Sequence, residues 1–268
     1  MSERAPVAAE GGVPLPDRSG ATGDWRSRVL ANSLGDAADR AMEQGKALIA
    51  AASRVILRSG GTELTMQNVA AEAGLSMRVL YRHFTGRDDL LVGLFEESNL
   101  VWVELIRTHV ERFSDPLDRL GAALYFATDA RQHTDRAYNA AMARFVAGIT
   151  VSAPDAVGRA RRPVVEVFAE LVSAAMEAGS LDPGDPEEQA AMVVLSHLAF
   201  QNTVYLGSAI GAPLPSQDRI IRFCIEGLGG EIPEGWEARF HLSDEEAEAS
   251  RKKTAELSGA IRQDAPAT

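Results

Sequence analysis

Between Ser76 and Arg87 the chain places Arg78, Arg82, His83 and Arg87, and no acid. Guanidinium groups donate paired hydrogen bonds to phosphate oxygens and to the O6/N7 edge of guanine. The stretch therefore suits an anionic partner with a readable groove. The chain as a whole points the other way, with 38 acidic residues against 27 basic ones and a net charge of −11. Between Lys46 and Arg87 the sign reverses: Lys46, Arg54, Arg58, Arg78, Arg82 and Arg87 stand against Glu63 and Glu72, a net +4. Phosphate attraction is the main sequence-independent part of DNA affinity. A basic patch confined to one segment implies that this segment alone meets a polyanion.

Two short helices must hold these side chains. Thr65 is placed to cap one that reaches Ala73, Gly74 to supply a left-handed turn, and Ser76 to cap a second that ends near Phe84. In the second helix Leu80 and Phe84 lie four apart and turn inward with Val69 and Leu75. Arg78 and Arg82, also four apart, take the opposite side with Tyr81 beside them. Two such helices joined by a tight glycine turn form a helix–turn–helix, and a helix of that width fits the major groove of DNA.

The run Ala73-Gly74-Leu75-Ser76 followed by Leu80-Tyr81-Arg82-His83-Phe84 resembles the tetracycline-repressor (TetR) family of bacterial regulators. So do Ala51-Ala52, Gly60, Thr65, Val69-Ala70, Arg87 and Leu90-Leu91 around it, over roughly residues 46–95. The resemblance implies an all-α homodimer: an N-terminal three-helix DNA-binding domain and a larger helical domain for ligand binding and dimerisation. The last two core helices, here residues 186–228, would pair with their copies. It also implies that Thr65, Gln67, Tyr81, His83 and Arg87 contact the DNA backbone. Met77, Arg78 and Arg82 match positions that face bases or nearby phosphates, and Ser76 completes the candidate DNA-binding set. Some positions depart from the family pattern. Gly61 stands where an aromatic often follows the glycine, Leu64 where Thr is frequent, Met77 for Lys, Arg78 for a small residue or Pro, and Arg87 for Lys. An operator sequence cannot be borrowed across those changes.

Helix punctuation continues to the end of the chain, and alternating strand patterns are nearly absent. The fold class expected is all-α. Residues 1–36 form an extension, disordered or partly helical, whose Arg26 and Arg28 are read as incidental or as a minor-groove arm. Residues 37–86 form the DNA-binding domain, 87–230 the ligand-binding and dimerisation domain, and 231–268 a charged tail with an exposed helix over 243–261. The single cysteine, Cys224, excludes an intrachain disulfide. No run is long and apolar enough for a membrane span, and no signal-peptide block is seen, so the expected location is the cytoplasm.

The remaining chemistry is sparse. No zinc-type Cys/His spacing, phosphate loop or nucleophile elbow is present, so no metal, cofactor or enzymatic activity is expected. His197, Gln201 and Tyr205 are spaced by four on a very apolar segment and form one polar line. Such groups need partners. They bond across a dimer interface, which is the first expectation, or line a ligand pocket, or form an ordinary exposed edge. Trp102, Tyr138, Met142 and Phe145 recur at core spacing and are candidate pocket residues with His197 and Gln201. Arg161-Arg162 reads as surface, with use by an anionic ligand as the alternative. The function expected is a ligand-responsive, DNA-binding transcriptional regulator: a repressor on a palindromic double-stranded DNA operator, released by a small, largely apolar effector. The alternative is a constitutive or architectural DNA-binding protein without effector. The long helix from Arg87, which passes Trp102, is expected to join the two sites.

Overall fold

The computed structural model describes residues 24–31, 36–128, 136–207 and 211–241, together with Ser243, Glu245, Glu246, Glu248, Ala249 and Lys252. All its regular elements among these residues are helical. In chain order they are α1 (Trp25–Ala31), α2 (Asp36–Ser59), α3 (Met66–Glu72), α4 (Met77–His83), α5 (Arg87–Val110) and α6 (Pro116–Thr128). There follow α7 (Arg136–Ser152), α8 (Pro154–Glu177), α9 (Pro186–Leu206) and α10 (Gln217–Gly227), then a 3₁₀ turn at Trp236–Arg239.

Each helix of the helix–turn–helix unit starts and stops for a local reason. The Thr65 hydroxyl accepts from the Asn68 amide, and the Ser76 hydroxyl from the Val79 amide. Between α3 and α4, Gly74 adopts φ +65°. The Gly74 amide donates to the Ala71 carbonyl, and Leu75 to that of Ala70. That closure of α3 favours a residue without Cβ. Leu48, Val55, Ile56, Val69, Leu80 and Phe84 are buried in the common core. At the head of α5, the Asp89 carboxylate accepts from the Thr85 amide at 2.8 Å.

The packing does not divide after residue 86. One apolar cluster joins α2–α4, the first half of α5, and Ala141, Met142 and Ile149 of α7. The second joins the far half of α5 with α6, α8, α9 and α10. With 24 residues, α5 spans about 36 Å and belongs to both.

The ends of the chain pack further than expected. Within the 1–36 extension, expected to be disordered or partly helical, Trp25–Ala31 is helical, and Trp25 is 1% exposed and lies against Gly45 of α2 and Gly93 of α5. Its amide donates to Glu96 at 2.8 Å and its indole to Glu97 at 3.1 Å. Residues 1–23 lie outside the described residues. The charged tail begins later than residue 231, because Trp236 and Phe240 are buried against α6. The Trp236 indole donates to Asp118 at 2.6 Å, and Arg239 pairs with the same carboxylate. Two aromatics four apart amid acids were the signal for this closing element. Of the helix expected over 243–261, Glu245, Glu246, Glu248, Ala249 and Lys252 are helical; apart from Ser243, the remainder lies outside the described residues.

Candidate functional site: a DNA-facing helix and an internal cavity

On α4, Arg78, Tyr81 and Arg82 are exposed, opposite the buried Leu80 and Phe84. Arg78 makes no hydrogen bond within the described residues, whereas Arg82 donates to the Gln44 side chain at 2.6 Å. The His83 ring lies 3.3 Å from the same Gln44 oxygen. Burial, then the Arg82 charge, lowers the His83 pKa below the ordinary imidazole value. Thr65, Gln67, Ser76 and Arg87 are exposed around the same end of the unit. Met77 is half-buried against the core, so its exposed surface is small.

Some of the basic patch is spoken for. Arg54 and Arg58 of α2 both pair with Glu72 of α3, at 2.7 and 3.0 Å. The two arginines hold the Glu72 pKa below the usual carboxylate value, against a smaller opposing effect of burial. They brace the two helices, and the cations left to face a polyanion lie on and beside α4. Arg26 is likewise tied to Glu97 at 2.6 Å and does not extend as an arm. The Arg28 side chain lies outside the described residues.

Behind this unit lies a cavity of about 220 Å³, walled by α5, α7, α8 and α9. Of the sequence candidates, Trp102, Tyr138, Met142, His197 and Gln201 are on its wall, with Tyr205. The His197–Gln201–Tyr205 line therefore turns into the cavity. The expectation that it meets a second subunit is corrected, because the outward side of α9 carries Met192, Leu195 and Leu206 instead. The polar line finds partners inside: Gln201 donates to the Ala127 carbonyl at 2.7 Å, and Tyr205 accepts from Asn139 at 3.5 Å. Burial raises the Tyr205 pKa to about 12, so its hydroxyl stays protonated. The His197 ring lies 5.9 Å from the Trp102 ring.

Phe145 is a correction as well, since it is absent from the cavity wall. A residue at this place on α7 faces the DNA-binding unit. The Arg87 guanidinium lies over its ring at 4.9 Å, and a Cβ on Gly61 would come within 2.7 Å of that ring. Gly61, at φ +88°, thus leaves room for an aromatic ring supplied from α7. Sequence reasoning missed Phe95, Asn99 and Asn139 on the wall. Phe95, Asn99 and Trp102 share one helical face of α5, a spacing that could have flagged them.

Residues 48–94 match the family model described as "Bacterial regulatory proteins, tetR family". The helix–turn–helix segment is thus similar to the DNA-binding region of that family. No curated protein matches it in sequence. Among solved structures it resembles RolR in complex with resorcinol, with a TM-score of 0.57 at 14% identity over 83% of this chain and 95% of that one. It also resembles FadR from Bacillus subtilis in complex with stearoyl-CoA, with a TM-score of 0.55 at 14% identity over 68% of this chain and 97% of that one. FadR from Bacillus halodurans gives 0.52 at 16% identity, over 74% of this chain and 100% of that one. At these identities the likeness extends to the fold.

The cavity and the helix–turn–helix unit share two helices. α5 carries Arg87 at one end and Trp102 on the cavity wall. α7 places Tyr138 and Met142 on the wall and Phe145 beneath Arg87, while Arg144 donates to the Gly60 carbonyl at 3.3 Å. α7 is thus a second physical link between the two, which the sequence reading of α5 did not include.

Proposed function

We propose that this regulator is a cytoplasmic, ligand-responsive repressor. It acts as a homodimer on a palindromic double-stranded DNA operator and leaves it when a small, largely apolar effector binds. Residues 37–86 read and grip DNA, and 87–230 hold the effector and the partner subunit. Arg78 and Arg82 face bases; Thr65, Gln67, Ser76, Tyr81, His83 and Arg87 position the backbone, and Met77 supports them from the core. The observation that carries the effector reading is the cavity wall that continues, through α7, to Phe145 under Arg87. A constitutive DNA-binding protein has no need of such a cavity. The small molecules bound by RolR and by FadR from Bacillus subtilis support the same reading.

The dimer reading rests on exposed apolar side chains. Met192, Leu195 and Leu206 of α9 and Phe223 of α10 are 55, 65, 44 and 68% exposed. A symmetric interface across α9 and α10 would cover them, with a total area of roughly 2,000 Å² or more. Sedimentation should show a dimer at micromolar concentration, and a monomer there would rule the assembly out.

For the effector, operator DNA is first selected from genomic fragments, and the complex is then titrated with lipophilic small molecules. A compound that fills the cavity stoichiometrically is expected to lower operator affinity. A hundredfold loss corresponds to about 2.7 kcal/mol of coupling. Stoichiometric binding with unchanged operator affinity would leave the constitutive reading standing.

A further inference from the structure

Adjacent arginines on α8 have opposite surroundings. Arg162 is exposed and pairs with two carboxylates, Glu166 at 2.8 Å and Glu187. Arg161 is half-buried at the cavity wall, and no carboxylate among the described residues pairs with it. Its guanidinium instead lies over the face of Phe95, 5.4 Å from the ring centre. Burial lowers its pKa, yet an arginine keeps its charge at neutral pH. The described residues of the wall include no aspartate or glutamate at all. In a chain of net charge −11, that is a second local reversal of sign, and this one is internal. The acids of the middle of α5 point elsewhere: Glu96 and Glu97 are engaged by Trp25 and Arg26 on the side of α1.

A cation removed from water, without a counter-charge, is costly, and an incoming anion offsets that cost through a charge-assisted bond. The rest of the wall is mainly apolar and aromatic. We infer that the effector is an amphiphile, an aromatic body bearing one anionic oxygen group such as a carboxylate, whose charge is held by Arg161. Phe95 orients the guanidinium from one face, leaving its N–H edge for the oxygens. Trp102 and Met142 take the aromatic body by dispersion. This rests on the effector reading of the cavity and adds the charge of the ligand to it.

The test uses a matched pair of probes, cinnamate and its uncharged analogue cinnamamide, titrated by calorimetry into the full chain. Wild type should bind cinnamate about tenfold or more tightly than cinnamamide, as expected for one charge-assisted pair. Arg161→Met should bring the two affinities within about twofold by weakening only the acid. Arg161→Lys, which keeps the charge, should restore part of the preference. Thermal denaturation of each variant checks that it is folded. Binding of cinnamamide as tightly as cinnamate by wild type would overturn the anion assignment while leaving the cavity as a ligand site. A preference for the acid that survives in Arg161→Met would overturn the role of Arg161. Failure of both probes to bind wild type at millimolar concentration would overturn the proposed ligand class. Acid-selective binding that does not release operator DNA would instead spare Arg161 and sink the effector reading beneath it.

Discussion

The α4 helix and the α9 helix each carry polar side chains four residues apart, and the two lines end in different places. Arg78 and Arg82 look outward from a helix whose other face is fully buried. His197, Gln201 and Tyr205 look inward, from a helix whose outward side is apolar. In the first region Arg78 awaits a partner from solution, and Arg82 is held by the Gln44 side chain. In the second, Gln201 and Tyr205 already bond within the fold, and the apolar groups are left outside. A polar line on an apolar helix therefore does not say which way it faces. What settles the direction is the number of helices packed around it: α4 has neighbours on one side, while α9 meets α6, α7, α8 and α10.

The largest expected effect probes whether the cavity-bearing region is closed by its last segment. Trp236→Ala removes a fully buried indole and its bond to Asp118. It should cost about 3–5 kcal/mol in chemical denaturation. A loss below about 1 kcal/mol would mean that residues 231–241 are a tail after all.

Acid should also bear harder on that region. Burial, followed by the Arg112 charge, lowers the His109 pKa to about 4, and its ring packs on Phe126. The folded state thus favours the neutral ring. The stability this brings is complete above the unfolded value near 6.5 and is lost as pH falls toward 4. The loss is at most about 3 kcal/mol. The difference in stability between wild type and His109→Gln, followed from pH 7 to 4, should shift by up to that amount. A pH-independent difference would remove His109 from the acid response.

In the DNA-facing region the effect is on affinity rather than stability. Arg78→Ala or Arg82→Ala should cost about 1–3 kcal/mol and relax preference at one operator position. Arg78 is the stronger candidate for a base edge, because Arg82 is engaged by Gln44 in the DNA-free chain. Wild-type affinity and preference in both variants would remove α4 from the groove.

The two regions were not equally legible in the sequence. The helix–turn–helix could be read because its determinants are local: caps at Thr65 and Ser76, a turn at Gly74, and a two-faced α4. The helix bounds elsewhere followed from the same punctuation. What stayed hidden depends on which distant elements meet. Glu72 drawing Arg54 and Arg58 off the basic patch requires α2 and α3 to be placed. Phe145 belongs to the core-spaced set by pattern, and only the position of α7 sends it to Gly61 rather than to the cavity. Arg161 and Arg162 are identical as letters, and what α5 and α9 bring beside them sets them apart.

A smaller effect tests where the backbone grip ends. Arg87 donates to the Leu64 carbonyl at 3.3 Å and keeps its charge exposed. Arg87→Ala should weaken specific and non-specific DNA about equally and flatten the salt dependence by about one unit of slope. A sequence-selective loss with an unchanged slope would move Arg87 from backbone positioning to base reading.

The smallest expected effect lies where the two regions touch. Phe145 is on the same helix as Tyr138 and Met142 of the cavity, and its ring lies under Arg87. A ligand that displaces α7 must therefore alter either this ring or the guanidinium above it. A ligand shifts the DNA-binding equilibrium only by its differential affinity for the two states. Phe145→Leu keeps an apolar side chain against Gly61 but removes the ring face. It should leave ligand affinity and ligand-free operator affinity close to wild type, while reducing the coupling between them by about 0.5–2 kcal/mol. The measurement is a cycle of four affinities: operator with and without ligand, in wild type and variant. If coupling is unchanged, α5 alone carries it, and the comparable variant is then a change at Trp102. If coupling falls by the stated amount, α7 is a working strut, and the room left by Gly61 for an aromatic from another helix is part of the switch.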